Sequence, residues 1–338
     1  MKNITHCEKL DSSNTTVILV VIVDVIIAVI AIFGNSVVIW SVIRFPNLRT
    51  NTNIFVVSLA VADLLVGICI PYYVLFYFHI SWTCERTPCL LRYFTVLFPT
   101  ISSMFSNIGA AVERYVAIIH PLSYHRIMNT GWAVKSIVIG WAYVGIVSAL
   151  PLMGVNVWEA DLQIECVHKC KECDLRYIVK PIYTLLAVSF HVFFTLIITL
   201  GLYYCIFREA WRHLKNIPPV GVNAIIPSLK RETKTSRMMG LVLGVCLLGL
   251  TPYLIAIMYP IIKLEEGDNN SWIVYKRWAV CFYLGKSSVN PLIYGWKNRD
   301  FREAFFRLLK IDRNKEFYSR SDANQTHRTS MPMFTITN

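Results

Sequence analysis

Residues 16–43, TVILVVIVDVIIAVIAIFGNSVVIWSVI, carry one formal charge, Asp24. A run of about 20 mostly apolar residues is long enough to cross a bilayer as a helix, so this stretch reads as a membrane span. Six further runs of comparable length follow, near 53–77, 90–119, 132–155, 178–207, 238–262 and 273–296. Ten-residue segments of alternating polarity, the mark of a membrane β-barrel, do not occur. The expectation is an all-α membrane protein, a seven-transmembrane helix bundle over residues 16–296 preceded by a polar segment, 1–15.

Composition agrees. The 338 residues are 55% hydrophobic and 16% charged, with mean hydropathy +0.49, whereas soluble domains run near about 45–50% apolar and 25% charged. A soluble globule and a disordered chain are both excluded. The net charge of +12 is concentrated: nine Lys and Arg lie between Lys297 and Arg328, and seven between Arg208 and Arg237. Basic residues gather on the cytoplasmic side of membrane spans, so these segments face inward, and nucleic acid is set aside as a partner. Arg44 and Arg49 after the first span agree. The amino terminus is then extracellular. Residues 1–15 lack the charged start and cleavage site of a removable signal peptide, and the first span is read as an uncleaved anchor. Asn3-Ile4-Thr5 and Asn14-Thr15-Thr16 are glycosylation acceptors on that outer side.

Residues 297–310 place Phe301, Phe305, Leu308 and Leu309 on one helical face, as expected of an amphipathic eighth helix lying on membrane lipid. A cytoplasmic tail, 311–338, follows. Its serines and threonines, Ser319, Ser321, Thr326, Thr329, Ser330, Thr335 and Thr337, make it a candidate substrate for a receptor kinase and a docking segment for arrestin. Cys7, Cys84, Cys89, Cys166, Cys170 and Cys173 map outside, where an oxidising compartment lets them pair, and six cysteines allow 15 pairings. The cluster Cys166, His168, Cys170, Cys173 looks like a zinc site, but its extracellular place favours disulfides. No metal, no cofactor and no enzyme activity are expected, since no paired carboxylates, metal-ligand set or Ser/His/Asp array is evident.

Polar residues inside spans are costly and are functional candidates by default. Here they include Gly34-Asn35-Ser36 in span one, Leu59-Ala60-Val61-Ala62-Asp63 in span two, Glu113-Arg114-Tyr115 ending span three, Trp141 in span four, Pro252 in span six and Asn290-Pro291-Leu292-Ile293-Tyr294 in span seven. In this order and spacing they resemble the rhodopsin-like G-protein-coupled receptors, over about residues 16–310. The resemblance implies an extracellular ligand bound in the outer half of the bundle and a heterotrimeric G protein engaged at the inner face. It implies an activation switch of Glu113, Arg114 and Tyr115, with Glu232 on span six pairing with Arg114, and of Asn290, Pro291 and Tyr294, with Tyr203 as the partner of Tyr294. Leu122 matches a residue that docks into the G protein. Asp63, Ser103 and the residues near Asn290 match a buried polar site that holds sodium, beside Asn35. Lys286 lies one turn before Asn290 on the same face, and the expectation is that its ammonium replaces the ion by pairing with Asp63.

Positions matching family pocket residues are Val96, Leu97, Thr100, His191, Leu250, Tyr253, Leu254, Ile257, Val280, Tyr283 and Leu284, with Asp24 near the outer end of span one, where it could meet a ligand or Lys276. The cavity is mostly apolar with a few neutral donors, as suits a small or lipid-like ligand; a peptide stays open. Val96 stands where amine receptors carry an aspartate, which disfavours a biogenic amine, and Leu284 stands where opsins carry the retinal lysine. Leu250 replaces a usual tryptophan and Thr195 a usual proline. The outer cysteines, Thr100 and the acid at Asp24 make the chain weakly similar to adenosine receptors, although Ile257, Tyr283 and Leu284 depart from their pattern. The resemblance further implies a disulfide from Cys89 to a cysteine of the second outer loop. Cys173 is favoured, holding Leu175 over the pocket, with Cys166 or Cys170 open. The alternative from another class is a transporter or channel using Asp63, Lys286 and Arg114 as an ion path.

Overall fold

The computed structural model describes residues 15–79, 82, 85–156, 173, 178–179, 181–183, 190–215, 225–263 and 270–310. Outside these lie Asn3, Asn14, Leu175, the cysteines Cys7, Cys84, Cys166 and Cys170, and the tail. The side chains of His191 and Glu232 also lie outside the described set, although both positions are helical.

Eight helices of ten residues or more occur among the described residues: α1 (Thr15–Arg44), α2 (Asn51–Leu75), α3 (Arg86–Ile119), α4 (Thr130–Ala149), α5 (Phe190–Lys215), α6 (Ile225–Lys263), α7 (Asn270–Lys297) and α8 (Arg299–Leu308). Helices α1 to α4 and the Met238–Tyr259 part of α6 are long and apolar enough to cross a membrane. Helix α1 shows how such a sequence packs. Its buried stripe is Val17, Val20, Asp24, Ala28, Ala31, Asn35, Val38 and Ser41, three or four residues apart, while Ile18, Ile22, Val25, Ile26, Val29 and Phe33 are exposed. The polar side chains Asp24, Asn35 and Ser41 therefore face the bundle among small and β-branched residues, while the large apolar ones face outward, where a soluble helix would be polar.

Helix starts are set by local chemistry. The Thr50 side chain caps α2, Asn129 caps α4 and Asn298 caps α8, each accepting from a backbone N–H of the first turn. Span four, expected over 132–155, ends as a helix at Ala149. Pro151 has no N–H to continue the ladder, and the chain turns through Gly154, whose φ of 115° suits glycine.

Helix α1 packs against α2 and α7, α2 against α3, α3 against α4, α5 and α6, and α6 against α7. Helix α8 folds back on α1 and α7. Its Phe301 is fully buried and stacks on Tyr294 at 5.6 Å between ring centroids, so that aromatic joins the bundle core, whereas Leu309 stays exposed. One end of the bundle carries the Cys89–Cys173 disulfide and is called the disulfide end below; the other carries Arg114.

Candidate functional site

At the opposite end from the disulfide, the last turns of α3 bury Glu113 completely and leave Arg114 6% exposed. Arg114 grips its neighbour with both edges of the guanidinium: Nε donates to Glu113 Oε2 and Nη2 to Oε1, both at 2.6 Å. Nη2 also donates to Thr52 Oγ1 of α2. Thr52 in turn donates to Glu113 Oε2 at 3.1 Å, and Tyr124, in the single helical turn Tyr124–Ile127, donates its hydroxyl to Oε1 at 2.5 Å. Burial, together with the adjacent Glu113 carboxylate, pushes the Tyr124 hydroxyl up to about 12, so it remains a donor at neutral pH. A bidentate Arg–carboxylate pair removed from water is geometrically specific, and stripping either partner leaves a buried charge, a loss of about 3–5 kcal/mol. Tyr115 points elsewhere, edge-on to His120 at 6.3 Å. Leu122 is fully exposed.

In the middle of the bundle Asp63, wholly buried, accepts from Ser287 Oγ at 2.7 Å and from Asn290 Nδ2 at 2.6 Å. Asn35 Nδ2 donates to the Ser287 carbonyl at 3.1 Å and to the Ala31 carbonyl at 2.8 Å. The expected direct pair between Lys286 and Asp63 is not formed. Lys286 Nζ, on a side chain of a residue 3% exposed, donates to Ser103 Oγ of α3 at 3.0 Å, and Asp63 feels its charge without an ion pair within 4 Å. Ser287 and Asn290, one residue and one turn further along α7, each donate to one oxygen of the carboxylate, and the long lysine stem carries its ammonium across to α3.

Pro291 lies inside α7. Below it Tyr294 is fully buried, its hydroxyl without a hydrogen-bond partner among the described residues. Tyr203 of α5 is buried in the same apolar cluster, together with Met238, Met239 and Leu243 of α6.

Towards the disulfide end most of the expected pocket residues whose side chains are described form an apolar layer. Val96, Leu250, Tyr253, Tyr283 and Leu284 are buried together, with Leu254, Ile257 and Val280 packed against them. The Tyr253 and Tyr283 rings stack at 4.3 Å and 3°. The Thr100 hydroxyl bonds back to the Val96 carbonyl of its own helix. Leu97 instead joins Cys89, Cys173, Ile178 and Tyr183. The Cys89–Cys173 bond has its Cα atoms 5.9 Å apart, and the Tyr93 hydroxyl donates to the Cys173 carbonyl at 2.7 Å. Where Leu250 replaces an indole, a cavity of about 10 Å³ remains between α3, α5 and α6, lined by Met104, Asn107, Thr195, Thr199, Cys246 and Leu250, roughly the room one water needs.

Asp24 is completely buried beside the Cys281 thiol, and neither carboxylate oxygen has an N–H or O–H donor among the described residues; Lys276, which the sequence offered as one contact, does not hydrogen-bond to it. Several site residues were not singled out from the sequence. Thr52, Tyr124 and Ser287 are ordinary residues whose roles depend on which helices meet. Arg92 and Arg277 had a readable signal, arginine inside a span, and both are buried near the disulfide end.

With this geometry in hand, comparison with known proteins is informative. Residues 34–294 match the 7 transmembrane receptor (rhodopsin family). Adenosine receptor A2a of Cavia porcellus is 29% identical over 88% of this chain and 74% of its own length. Adenosine receptor A2b of Gallus gallus is 28% identical over 94% of this chain and 96% of its own. Trace amine-associated receptor 13c of Danio rerio is 30% identical, over 83% of each.

Proposed function

The chain belongs to the rhodopsin family of seven-transmembrane receptors, and from that membership we propose that it binds a small, non-aminergic extracellular ligand in the disulfide-end half of the bundle and activates a heterotrimeric G protein at the Arg114 end. As a G-protein-coupled receptor it is a multi-pass membrane protein and not an enzyme. The observation that carries the proposal is the arrangement of Arg114. It is buried and locked to Glu113, Thr52 and, through Glu113, to Tyr124. Three separate segments thus meet on one ion pair, which is what a two-state element at the inner end of the bundle requires. Glu232 on α6 is a further partner in this reading, and Tyr203, Tyr294, Asn290 and Pro291 form its second half.

The amino terminus is outside and the carboxyl terminus inside in this reading, because Lys and Arg concentrate in the last turns of α5, the first turns of α6 and after α7. Cys89–Cys173 then lies on the oxidising side, Leu122 faces the G protein, α8 rests on lipid, and the Ser- and Thr-bearing tail is a substrate for receptor kinase and arrestin. Asn3 and Asn14 are glycosylated. Val96, an apolar residue where amine receptors hold an acid, supports a ligand that is not a biogenic amine, whatever the trace amine-associated relative binds. A nucleoside-like or lipid-like ligand suits the apolar layer. The ion-path reading finds less support: the layer towards the disulfide end from Asp63 and Lys286 holds the apolar cluster of Val66, Ile70, Leu250, Tyr253, Tyr283 and Leu284 rather than a polar lining.

The test is a ligand-library screen of the full-length receptor with a promiscuous Gα reporter, in parallel with Arg114→Ala expressed to the same surface level. The proposal expects ligand-dependent reporter activity in the wild type that Arg114→Ala loses by tenfold or more. Full signalling by Arg114→Ala, or transport current in place of G-protein activation, overturns it.

A further inference from the structure

Leu250 and Thr195, the two positions where spans six and five depart from the family pattern, line one cavity between α3, α5 and α6. Asn107 of α3 lines it too. That residue lies seven positions before Arg114, about 10 Å along the helix, and so well inside the membrane. Helix α5 packs mainly on α3 and touches α6 only lightly among the described residues. The rim of the cavity therefore falls on the α5–α6 seam, at the half-buried Leu196 and Leu247. Their sequence neighbours Ile197 and Leu248 are 67% and 76% exposed, which places the seam on the lipid-facing side.

Asn107 is 8% exposed, and its amide makes no hydrogen bond among the described residues. Two donors and an acceptor are thus held in an apolar interior without use, a cost that protein cores rarely carry. The Thr195 hydroxyl is likewise unbonded, while Thr199 donates to the Thr195 carbonyl at 2.6 Å and keeps its oxygen as an acceptor. The lining holds no charged side chain among the described residues, so an ion at this depth would have no counter-charge. What fits is a neutral group that both donates and accepts. Size narrows the choice further, because about 10 Å³ admits one oxygen-sized group. A hydroxyl fits that room and a carboxamide does not.

We propose that this cavity is an intramembrane binding site for a neutral alcohol dissolved in the bilayer. The hydroxyl of the alcohol enters between the helices, donates to the Asn107 carbonyl oxygen and accepts from the Asn107 amide or the Thr195 hydroxyl. Its hydrocarbon chain stays in the α5–α6 seam against Leu196 and Leu247. The site is separate from the ligand pocket at the disulfide end, and binding to it needs only the membrane-embedded bundle.

The experiment uses the purified full-length receptor in phosphatidylcholine nanodiscs, photolabelled with diazirine-bearing octanol and, as the control, diazirine-bearing octane at equal membrane concentration. Labelled residues are mapped by mass spectrometry. The alcohol should label the α5 and α6 segments that carry Leu196 and Leu247 about tenfold or more above the alkane. Unlabelled octanol should compete, whereas its methyl ether, which accepts but cannot donate, should not. Asn107→Leu and Thr195→Val, on different helices, should each cut this labelling about fivefold or more, and Ser136→Ala on α4 should leave it unchanged. Asn107→Leu should melt at or above the wild-type temperature, because it removes an unbonded amide. Equal labelling by alcohol and alkane, competition by the ether, or wild-type labelling in both cavity variants overturns the site. A markedly lower melting temperature for Asn107→Leu also overturns it, since the amide would then have a partner.

Discussion

Replacing Lys286 by Met keeps an unbranched apolar stem one atom shorter and deletes the charge. The wild-type ammonium makes a 3.0 Å bond to Ser103 from a residue 3% exposed, and a hydrogen bond to a charged group is worth about 1.5–3 kcal/mol. The variant also removes the positive charge nearest Asp63. Complete loss of a buried partner costs about 3–5 kcal/mol, but Asp63 keeps its bonds from Ser287 and Asn290, so a total near 2–3 kcal/mol is expected. At roughly 2–4 °C per kcal/mol for chains of a few hundred residues, the melting temperature should fall by about 5–10 °C. The assay is thermal unfolding of the solubilised receptor in KCl and in NaCl at matched ionic strength. If Lys286 does the work of a bound sodium ion, the wild type melts at the same temperature in both salts. Lys286→Met instead gains from sodium, by about 1.4 kcal/mol when sodium is at ten times its Kd. A wild type that sodium stabilises over potassium, or a Lys286→Met variant as stable as wild type in KCl, refutes the reasoning.

Two further outcomes follow from packing and crosslinking. At Gly249 of α6 a Cβ would lie 2.9 Å from the Phe282 backbone carbonyl oxygen of α7, so Gly249→Ala must push the two helices apart and should cost about 1–3 kcal/mol of stability. Gly201→Ala and Gly244→Ala meet nothing within 4 Å and should be neutral or slightly stabilising; equal melting temperatures for all three would count against this close approach of α6 and α7. Opening the Cys89–Cys173 bridge by Cys89→Ser releases a loop of 84 residues, worth at most about 4.5 kcal/mol of chain entropy, and should abolish surface expression or ligand binding; normal behaviour by cell-surface labelling and ligand titration would refute a structural role for the bridge.

The helical membrane bundle was legible because hydrocarbon forces every backbone polar group to be satisfied within its own segment, so span length and charge placement alone mark most elements. Helix α1 illustrates it: 16–43 was read as a span, and α1 runs Thr15–Arg44. The end of α4 was missed because hydropathy continues through Leu152 and Met153, whereas the hydrogen-bond ladder stops before Pro151. The polar residues of the middle site were also legible, since Asn35, Asp63, Lys286 and Asn290 are polar where lipid would reject them. Their pairing was not. The choice of Ser103 rather than Asp63 for Lys286 depends on how α3 and α7 are offset along their axes, and no spacing within one helix encodes that offset. Thr52 and Tyr124 were invisible for the same reason, being ordinary residues until α2 and the turn after α3 bring them to Glu113. Arg92 and Arg277 could have been found by treating each span arginine as a candidate, the rule that found Arg114.

The two polar ends of the bundle share two helices. Helix α3 carries Arg92, Ser103, Glu113 and Arg114 on buried positions, and α7 carries Arg277, Lys286, Ser287, Asn290 and Tyr294. Between the ends the layer is largely apolar, and α3 meets α7 within it through the Lys286 bond to Ser103 and through the Tyr283 hydroxyl beside Thr100. Any sliding of α7 against α3 driven from the disulfide end must therefore stretch or redirect these contacts before it reaches Asn290 and Pro291. Tyr283 sits directly above, its ring 5.9 Å from Lys286 Nζ and stacked on Tyr253 of α6. In a receptor with Leu250 in place of the usual indole, this stacked pair is the bulky group left at the boundary between the apolar layer and the polar site. A displacement of Tyr283 by ligand would move Lys286 through three residues of rigid helix, and α6 would follow through Tyr253. The cavity of about 10 Å³ beside Leu250 is roughly the room of one water, so a shift of α6 must also move the buried Cys246, Leu250 and Tyr253 against the cluster they pack in.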